Sequence, residues 1–168
     1  NELDVLDRYY QCANIYNANT IVRITGDCPL IDSDITNDII TFYNNSNVDY
    51  VSNTIKPTFP DGLDVEVFSR RALNDAFENS KLPFDREHVT PYIKNNIRLK
   101  KLNYKNDIDY SKERWCIDEE EDYFVIKNVL EHFKPNIYFS FREILKLKEK
   151  HPEYFIHNKY IKRDEGAY

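Results

Sequence analysis

An α/β fold with parallel strands is what this chain predicts, on three observations. Helical and strand patterns alternate from its start, the succession that builds a sheet from crossover units. Two short apolar runs each end in an aspartate, Asp27 and Asp118. That is where ligand-binding carboxylates sit in open parallel sheets, just outside the strand ends. The 168 residues are 41% hydrophobic and 14% aromatic, enough for one domain with a core and too apolar for disorder.

The elements follow in order. Leu3, Leu6, Tyr9, Tyr10, Ala13 and Tyr16 make one apolar stripe, predicting a helix over 3–16. Ile21-Val22-Arg23-Ile24-Thr25 predicts a strand, and Gly26 stops it, allowing a tight turn or a close approach of backbone to ligand. Asp27 comes next, either satisfying backbone donors in a turn or offering a hard oxygen ligand to an ion such as Mg²⁺. A helix over 34–42 is expected, capped by Ser33 or Asp34, with Ile35, Ile39, Ile40 and Phe42 inward. After the polar run 44–47 comes a strand over 48–52, then a loop over 53–63 that closes on Asp61-Gly62.

Asp64-Val65-Glu66-Val67-Phe68 alternates, so one face of this strand should be wet, with Asp64 and Glu66 sharing it. Edge-strand alternation and a carboxylate pair for a metal or sugar explain those two residues equally well. Ser69 opens a helix to about residue 78, and in a further helical stretch over 85–95 the proline marks a break or a first-turn position near residue 91. Within it, Arg86 is a fork suited to phosphate or carboxylate, and His88 is a structural residue, an acid/base or a ligand contact. A strand over 97–104 and a polar loop over 106–111 lead to a short strand, 114–118, ending in Asp118. Four acidic residues follow at the start of a helix over 119–133, where the dipole favours them. Ser140 caps a last helix, and a mixed tail runs over 151–168.

Charge and composition narrow the function classes. The net charge of −6 speaks against a nucleic-acid backbone binder. Cys12, Cys28 and Cys116 are scattered and odd in number, which fits free thiols in a reducing compartment, and no histidine has an evident pairing with Cys28. No secretory signal and no membrane-length apolar run is present, so a cytoplasmic protein with no membrane segment is expected. The chain lacks methionine and a glycine-rich or basic phosphate loop, and it opens directly in a helical pattern. It is therefore expected to be a partial domain whose beginning is missing.

Five stretches, taken together, resemble the SpsF-like nucleotidyltransferases, relatives of the acylneuraminate cytidylyltransferase group. They are Asp4-Val5-Leu6-Asp7-Arg8-Tyr9, the run from Ile21 to Asp32, the run from Phe59 to Phe68, Arg86-Glu87-His88-Val89-Thr90-Pro91-Tyr92, and Arg114-Trp115 with Ile117-Asp118 ahead of Glu121-Asp122. The resemblance implies a three-layer α/β/α domain of the glycosyltransferase-A-like type with a mixed, mostly parallel sheet. Residues 1–168 would be the C-terminal two-thirds of a single nucleotidyltransferase domain. It further implies Asp27 and Asp118 as catalytic Mg²⁺ carboxylates, with Asp122 in the same acidic motif as a third metal residue. Arg23, Asp64, Glu66, Arg86 and His88 would line the sugar or nucleotide side. The implied reaction is attack by a sugar acid or sugar phosphate on the α-phosphorus of CTP, or of another nucleoside triphosphate, releasing pyrophosphate for surface polysaccharide synthesis. Relatives of this kind commonly pair, so a homodimer is expected.

Two other functions compete. A sugar transferase shares the fold, though no compact Asp-x-Asp lies in the 27–32 region. A non-catalytic module of a larger assembly is the other. The nucleotidyltransferase reading makes one structural demand: Ile21–Thr25 and Arg114–Ile117 should be interior strands of one sheet, bringing Asp27 and Asp118 together.

Overall fold

The computed structural model describes residues 3–163. In chain order the elements are α1 (Val5–Ile15), β1 (Thr20–Arg23), α2 (Ser33–Asn44), β2 (Tyr50–Ser52), β3 (Glu66–Ser69), α3 (Arg70–Asn79), α4 (Pro83–His88), α5 (Pro91–Asn95), β4 (Lys101–Asn103), α6 (Glu120–Phe133) and α7 (Phe141–Lys150), followed by a 3₁₀ turn, Pro152–Phe155. They fall into two compact units. One takes the chain up to Arg23 with Ile39–Ile55 and Val65–Tyr104; the other takes Ile24–Asp38, Lys56–Asp64 and the chain from Lys105 onward.

The first unit holds the sheet, in the order β1-β3-β2-β4. The expectation of mostly parallel strands is overturned. β3 runs antiparallel to both β1 and β2, and only β2 and β4 are parallel. The reason lies in the connection between β2 and β3, which contains no helix. A parallel return needs a crossover, usually helical, and without one the chain comes back antiparallel. β3 is inserted between β1 and β2, and so Glu66, Val67 and Phe68 are all buried, rather than one face being wet. The strand also starts two residues later than the alternation suggests, leaving Asp64 outside it.

Register explains which side chains meet. Ile21, Phe68 and Tyr50 align across three strands. They form a core with Leu6 and Ala13 of α1, Ala72, Leu73 and Ala76 of α3, and Val89, Ile93 and Leu99. Two residues along each strand, on the same face by strand period, Arg23, Glu66 and Ser52 align in a polar row. The Ser69 hydroxyl accepts from the Ala72 N–H and so caps α3, as the sequence indicates.

The helical stretch over 85–95 is broken into α4 and α5 at Val89 rather than at Pro91, which takes a first-turn position in α5. Val89 has φ 70° and ψ −53°, and the Thr90 N–H donates to the His88 carbonyl at 2.8 Å. This is a γ-turn of the rare positive-φ kind, strained for any residue and more so for a β-branched one.

The second unit is organised by helix ends. Asp32, not Ser33 or Asp34, caps α2: its Oδ1 accepts from the N–H groups of Asp34 and Ile35 at 2.8 and 3.0 Å. Its Oδ2 accepts from the Phe141 N–H at 2.8 Å, so one buried carboxylate serves the N-termini of both α2 and α7. Ser140 and Glu143 form a capping box on α7. On α6, Val125, Ile126 and Val129 are buried, whereas Phe124 and Leu130 are about two-fifths exposed. The run 114–118 forms no sheet strand; its ladder is a single parallel bridge between Asp61 and Arg114. With β1 at one end of the sheet order, neither predicted interior strand is one. Within the second unit the backbones of Asp27 and Ile117 do pair, the Ile117 N–H donating to the Asp27 carbonyl at 2.8 Å.

Candidate functional site

Among the described residues each unit contains a charge cluster built on a buried centre, and together the two clusters include half of the residues singled out from the sequence. In the first unit the centre is Glu66, whose side chain is 4% exposed. Its Oε1 accepts from the Tyr50 hydroxyl at 2.5 Å, the Thr90 hydroxyl at 2.8 Å and Lys94 Nζ at 2.9 Å, and its Oε2 accepts from Arg23 Nη1 at 2.6 Å. Burial works against the charge on Glu66, but Lys94, Arg23 and the Tyr50 hydroxyl hold its pKa below the ordinary carboxylate range. Burial, reinforced by the Glu66 charge, drives the Tyr50 phenol well above its usual value, so Tyr50 stays a donor. Arg23 is 17% and Lys94 38% exposed, so both cations reach from the buried carboxylate toward solvent. Among the predicted residues only Arg23 and Glu66 belong to this cluster. Lys94, Tyr50 and Thr90 escaped the sequence reading, although Thr90 lies within one of the quoted motifs.

Arg86 and His88 sit apart from it. Arg86 donates to Asp4 Oδ2 at 2.6 Å and to the Phe77 carbonyl at 3.1 Å, with its guanidinium 4.9 Å from the Phe77 ring centroid. Its fork therefore ties α4 to the start of α1 and the end of α3. The half-buried His88 ring packs against Phe84 at 4.4 Å.

In the second unit the centre is Arg114, 7% exposed. Its Nε and Nη2 reach the two oxygens of Asp122 at 2.9 and 2.8 Å, Nη1 reaches Asp61 Oδ2 at 3.1 Å, and Nη2 also reaches Asp118 Oδ2 at 2.7 Å. Burial alone would lower the Arg114 pKa; the Asp122 hydrogen bond and the surrounding carboxylates raise it instead, and the guanidinium is permanently charged. Asp61 is fixed by its turn. Pro60 to Leu63 closes through a 3.2 Å hydrogen bond, with Gly62 at φ 99° as a type II turn requires. The Asp61 backbone pairs with Glu113 and Trp115 on either side of Arg114.

Cys116, Asp118 and Asp122 place one ligand atom each within 4.8 Å of one another, a cluster consistent with a divalent cation site. Their environments differ. Asp122 is fully buried, and its oxygens accept five hydrogen bonds, from Arg114 twice, from the N–H groups of Asp118 and Glu119, and from Asn158 Nδ2 at 2.8 Å. Burial would raise its pKa, yet these donors hold it below the ordinary range. A carboxylate offers about four lone-pair positions, so Asp122 has no oxygen left for an ion. The Cys116 thiol is pushed up by burial and donates to Asp118 Oδ2 at 3.2 Å, and a neutral thiol suits no hard cation. Asp118 is 43% exposed, and its Oδ1 makes none of these contacts.

Asp27 is half-buried, and its Oδ1 receives only a long contact, 3.6 Å, from the Cys28 thiol. Cys28 itself is pushed up to about 12 by burial, which removes it as a nucleophile. Gly26 before it has open space where a side chain would stand. Asp64, expected beside Glu66 on a strand face, is ion-paired with Arg163 instead. Asn158, in the tail, also donates to the Arg114 carbonyl at 3.0 Å; no sequence pattern points to it.

Comparison with known proteins accords with this geometry. A structure of a cytidylyltransferase from Leptospira borgpetersenii superposes with a TM-score of 0.85 at 35% identity, covering 90% of this chain and 65% of that one. An uncharacterized protein of Methanocaldococcus jannaschii is 38% identical over 157 residues, and the spore coat polysaccharide biosynthesis protein SpsF of Bacillus subtilis is 28% identical over 153. These matches cover 90% and 89% of this chain and 62% of each relative, so the chain spans under two-thirds of their length. Among the described residues no helix is long and apolar enough to cross a membrane. The family model described as cytidylyltransferase matches residues 1–161, and the chain belongs to that family.

Proposed function

We propose that this protein transfers a cytidylyl group from CTP to a sugar acid or sugar phosphate. An acceptor oxygen bonds to the α-phosphorus, the bond from that phosphorus to the oxygen bridging the β-phosphate breaks, and pyrophosphate leaves with the electron pair. The observation that carries the reading is the pairing of the Asp27 and Ile117 backbones, beside a partly exposed Asp118 carboxylate whose two protein contacts both fall on Oδ2, in a member of the cytidylyltransferase family. Asp118 and Asp27 are the residues that would hold Mg²⁺; the ion, when bound, would polarise the phosphate and offset its charge. Asp122 acts behind Asp118 rather than on the ion. Arg23 and Lys94, both held on Glu66, would meet an anionic part of the substrate, and His88, which packs on Phe84 apart from them, would be a separate ligand contact. Asp64 and Arg86, each held in an ion pair, would shape the surrounding backbone.

The name of the Bacillus relative adds surface polysaccharide synthesis as the destination of the product. A homodimer acting in the cytoplasm, and a chain forming the C-terminal two-thirds of one nucleotidyltransferase domain, complete the proposal; sedimentation of the natural full-length protein tests the dimer. The activity test is pyrophosphate release from CTP with Mg²⁺ and candidate sugar acids or sugar phosphates. Turnover that falls to background in Asp27→Asn and Asp118→Asn, with the melt unchanged, is expected. Release of a nucleoside diphosphate instead would identify a sugar transferase and reject the reading.

A further inference from the structure

We propose that Arg114 is a positioning residue for Asp118: it clamps one carboxylate oxygen so that the other stays aimed outward for a divalent cation. The inference rests on the metal reading of Asp118 above and extends it inward. Four facts carry it. Arg114 Nη2 is shared between Asp118 Oδ2 and Asp122 Oδ2 at 2.7 and 2.8 Å, so Asp118 is held by the same nitrogen that is locked to the most buried carboxylate of the cluster. That carboxylate is itself immobilised by backbone N–H groups at the start of α6 and by Asn158. The guanidinium cannot pivot away, because Nη1 is tied to Asp61 in a turn whose backbone brackets residue 114. Finally, Cys116 donates to the same Asp118 oxygen that Arg114 holds, so both protein contacts fall on Oδ2 and neither on Oδ1.

The chemistry follows from this asymmetry. A carboxylate at a partly exposed position turns about its Cα–Cβ bond, and an ion of strict geometry gains only from the orientations that face it. A planar fork with donors in fixed directions can restrain such a carboxylate while contacting two others; an ammonium is a point charge on a flexible stem whose rotatable donors fix no such direction. Partners behind a metal ligand commonly govern affinity by 10–100-fold.

The test is binding of Mn²⁺ alone, followed by the electron paramagnetic resonance of the free ion, with each variant's fold checked through the fluorescence of Trp115, the chain's sole tryptophan, which adjoins Arg114. Asp118→Asn comes first: undiminished Mn²⁺ binding would remove the metal reading itself, whatever Arg114 does. Given loss of binding there, Arg114→Lys, which keeps the charge but not the fork, is expected to weaken Mn²⁺ binding about tenfold or more. A role in charge balance alone predicts unchanged binding, and simple competition between Arg114 and the ion predicts tighter binding; either result overturns the proposal. Asp61→Asn serves where Arg114→Lys fails to fold. It preserves the turn backbone while removing one charge that fixes the guanidinium; because Asp61 acts on Asp118 only through Arg114, about threefold weaker binding is expected from it, below the 10–100-fold of a direct partner. Equal binding by Asp61→Asn and the unmodified protein would likewise overturn the proposal.

Discussion

The two buried clusters are chemical mirror images. Around Glu66 a single carboxylate gathers two cations and two hydroxyl donors; around Arg114 a single guanidinium gathers three carboxylates. Each centre is oversubscribed, so each cluster keeps an excess of the charge at its periphery: positive in the first, negative in the second. The comparison teaches that the buried member of such a cluster is an anchor and that chemistry belongs to the partly exposed members. By this criterion Arg23 and Lys94 suit an anion, Asp118 suits a cation, and Glu66, Arg114 and Asp122 hold them in place.

Removing an anchor should cost most. Asp122→Ala leaves a buried guanidinium without its bidentate partner, and breaking a buried pair from one side costs about 3–5 kcal/mol. Chemical denaturation should show a loss of that order; a change within experimental error would mean that Asp61 and Asp118 suffice to hold Arg114. Glu66→Gln keeps the shape but removes the charge that two cations share. Because those cations reach solvent, a smaller loss of about 2–3 kcal/mol is expected, each charged hydrogen bond being worth about 1.5–3 kcal/mol. A loss matching that of Asp122→Ala would break the contrast between the two clusters.

Thr90→Val is milder still. It deletes one donor to a buried carboxylate that retains three others, for about 1 kcal/mol. Asp118→Asn should be nearly silent in the same denaturation experiment while abolishing turnover, as befits a side chain that is 43% exposed. If instead it unfolds the protein, Asp118 is an anchor and the division between buried and exposed members fails.

Acid sharpens the comparison further. Glu66 and Asp122 both have folded-state pKa values below the ordinary carboxylate range, so the unfolded chain binds more protons as pH falls through about 4. The stability they contribute is present above that range and disappears as pH drops through their lower, folded values. Melting temperature followed from pH 7 downward should therefore fall in acid, and Glu66→Gln should flatten that fall. A profile unchanged by the substitution would show that Glu66 is not the group titrating.

How far the sequence could be read differs between these regions for physical reasons. Local signals survived: the Leu6, Tyr9, Tyr10 and Ala13 part of the α1 stripe, the Ser69 cap and the Ser140 cap, whereas Leu3 and Tyr16 at the ends of the stripe are exposed. Strand direction did not survive, because the parallel expectation came from the alternation of elements while the decisive fact was a helix-free connection between β2 and β3. Pro91 takes the first-turn position that the sequence offered, but the break two residues earlier at Val89 was not legible, since nothing in valine's own preferences announces a positive φ. Asp27, Asp118 and Glu66 were legible as candidates by type and place, and Arg23 through the family resemblance alone. The partners that decide their roles were not: Glu66 is joined to Lys94 and Asp122 to Asn158 across 28 and 36 positions of chain. Asp64 and Glu66 looked equivalent by strand period, yet one begins a central strand and the other lies outside it.

Gly62 sets how much substitution the Asp61 turn tolerates. A β-carbon there would stand 2.5 Å from the carbonyl carbon and oxygen of Trp115 and 2.7 Å from the Cys116 nitrogen, all backbone atoms that no rotamer change can clear. At Gly26 the same carbon would meet nothing within 4 Å. In a library carrying every residue at both positions and selected for folded protein, position 62 should return to glycine alone, while position 26 retains variety. The fold thus contains a checkpoint with no chemistry of its own: an absent side chain that lets the turn bearing Asp61 lie directly against the backbone of Trp115.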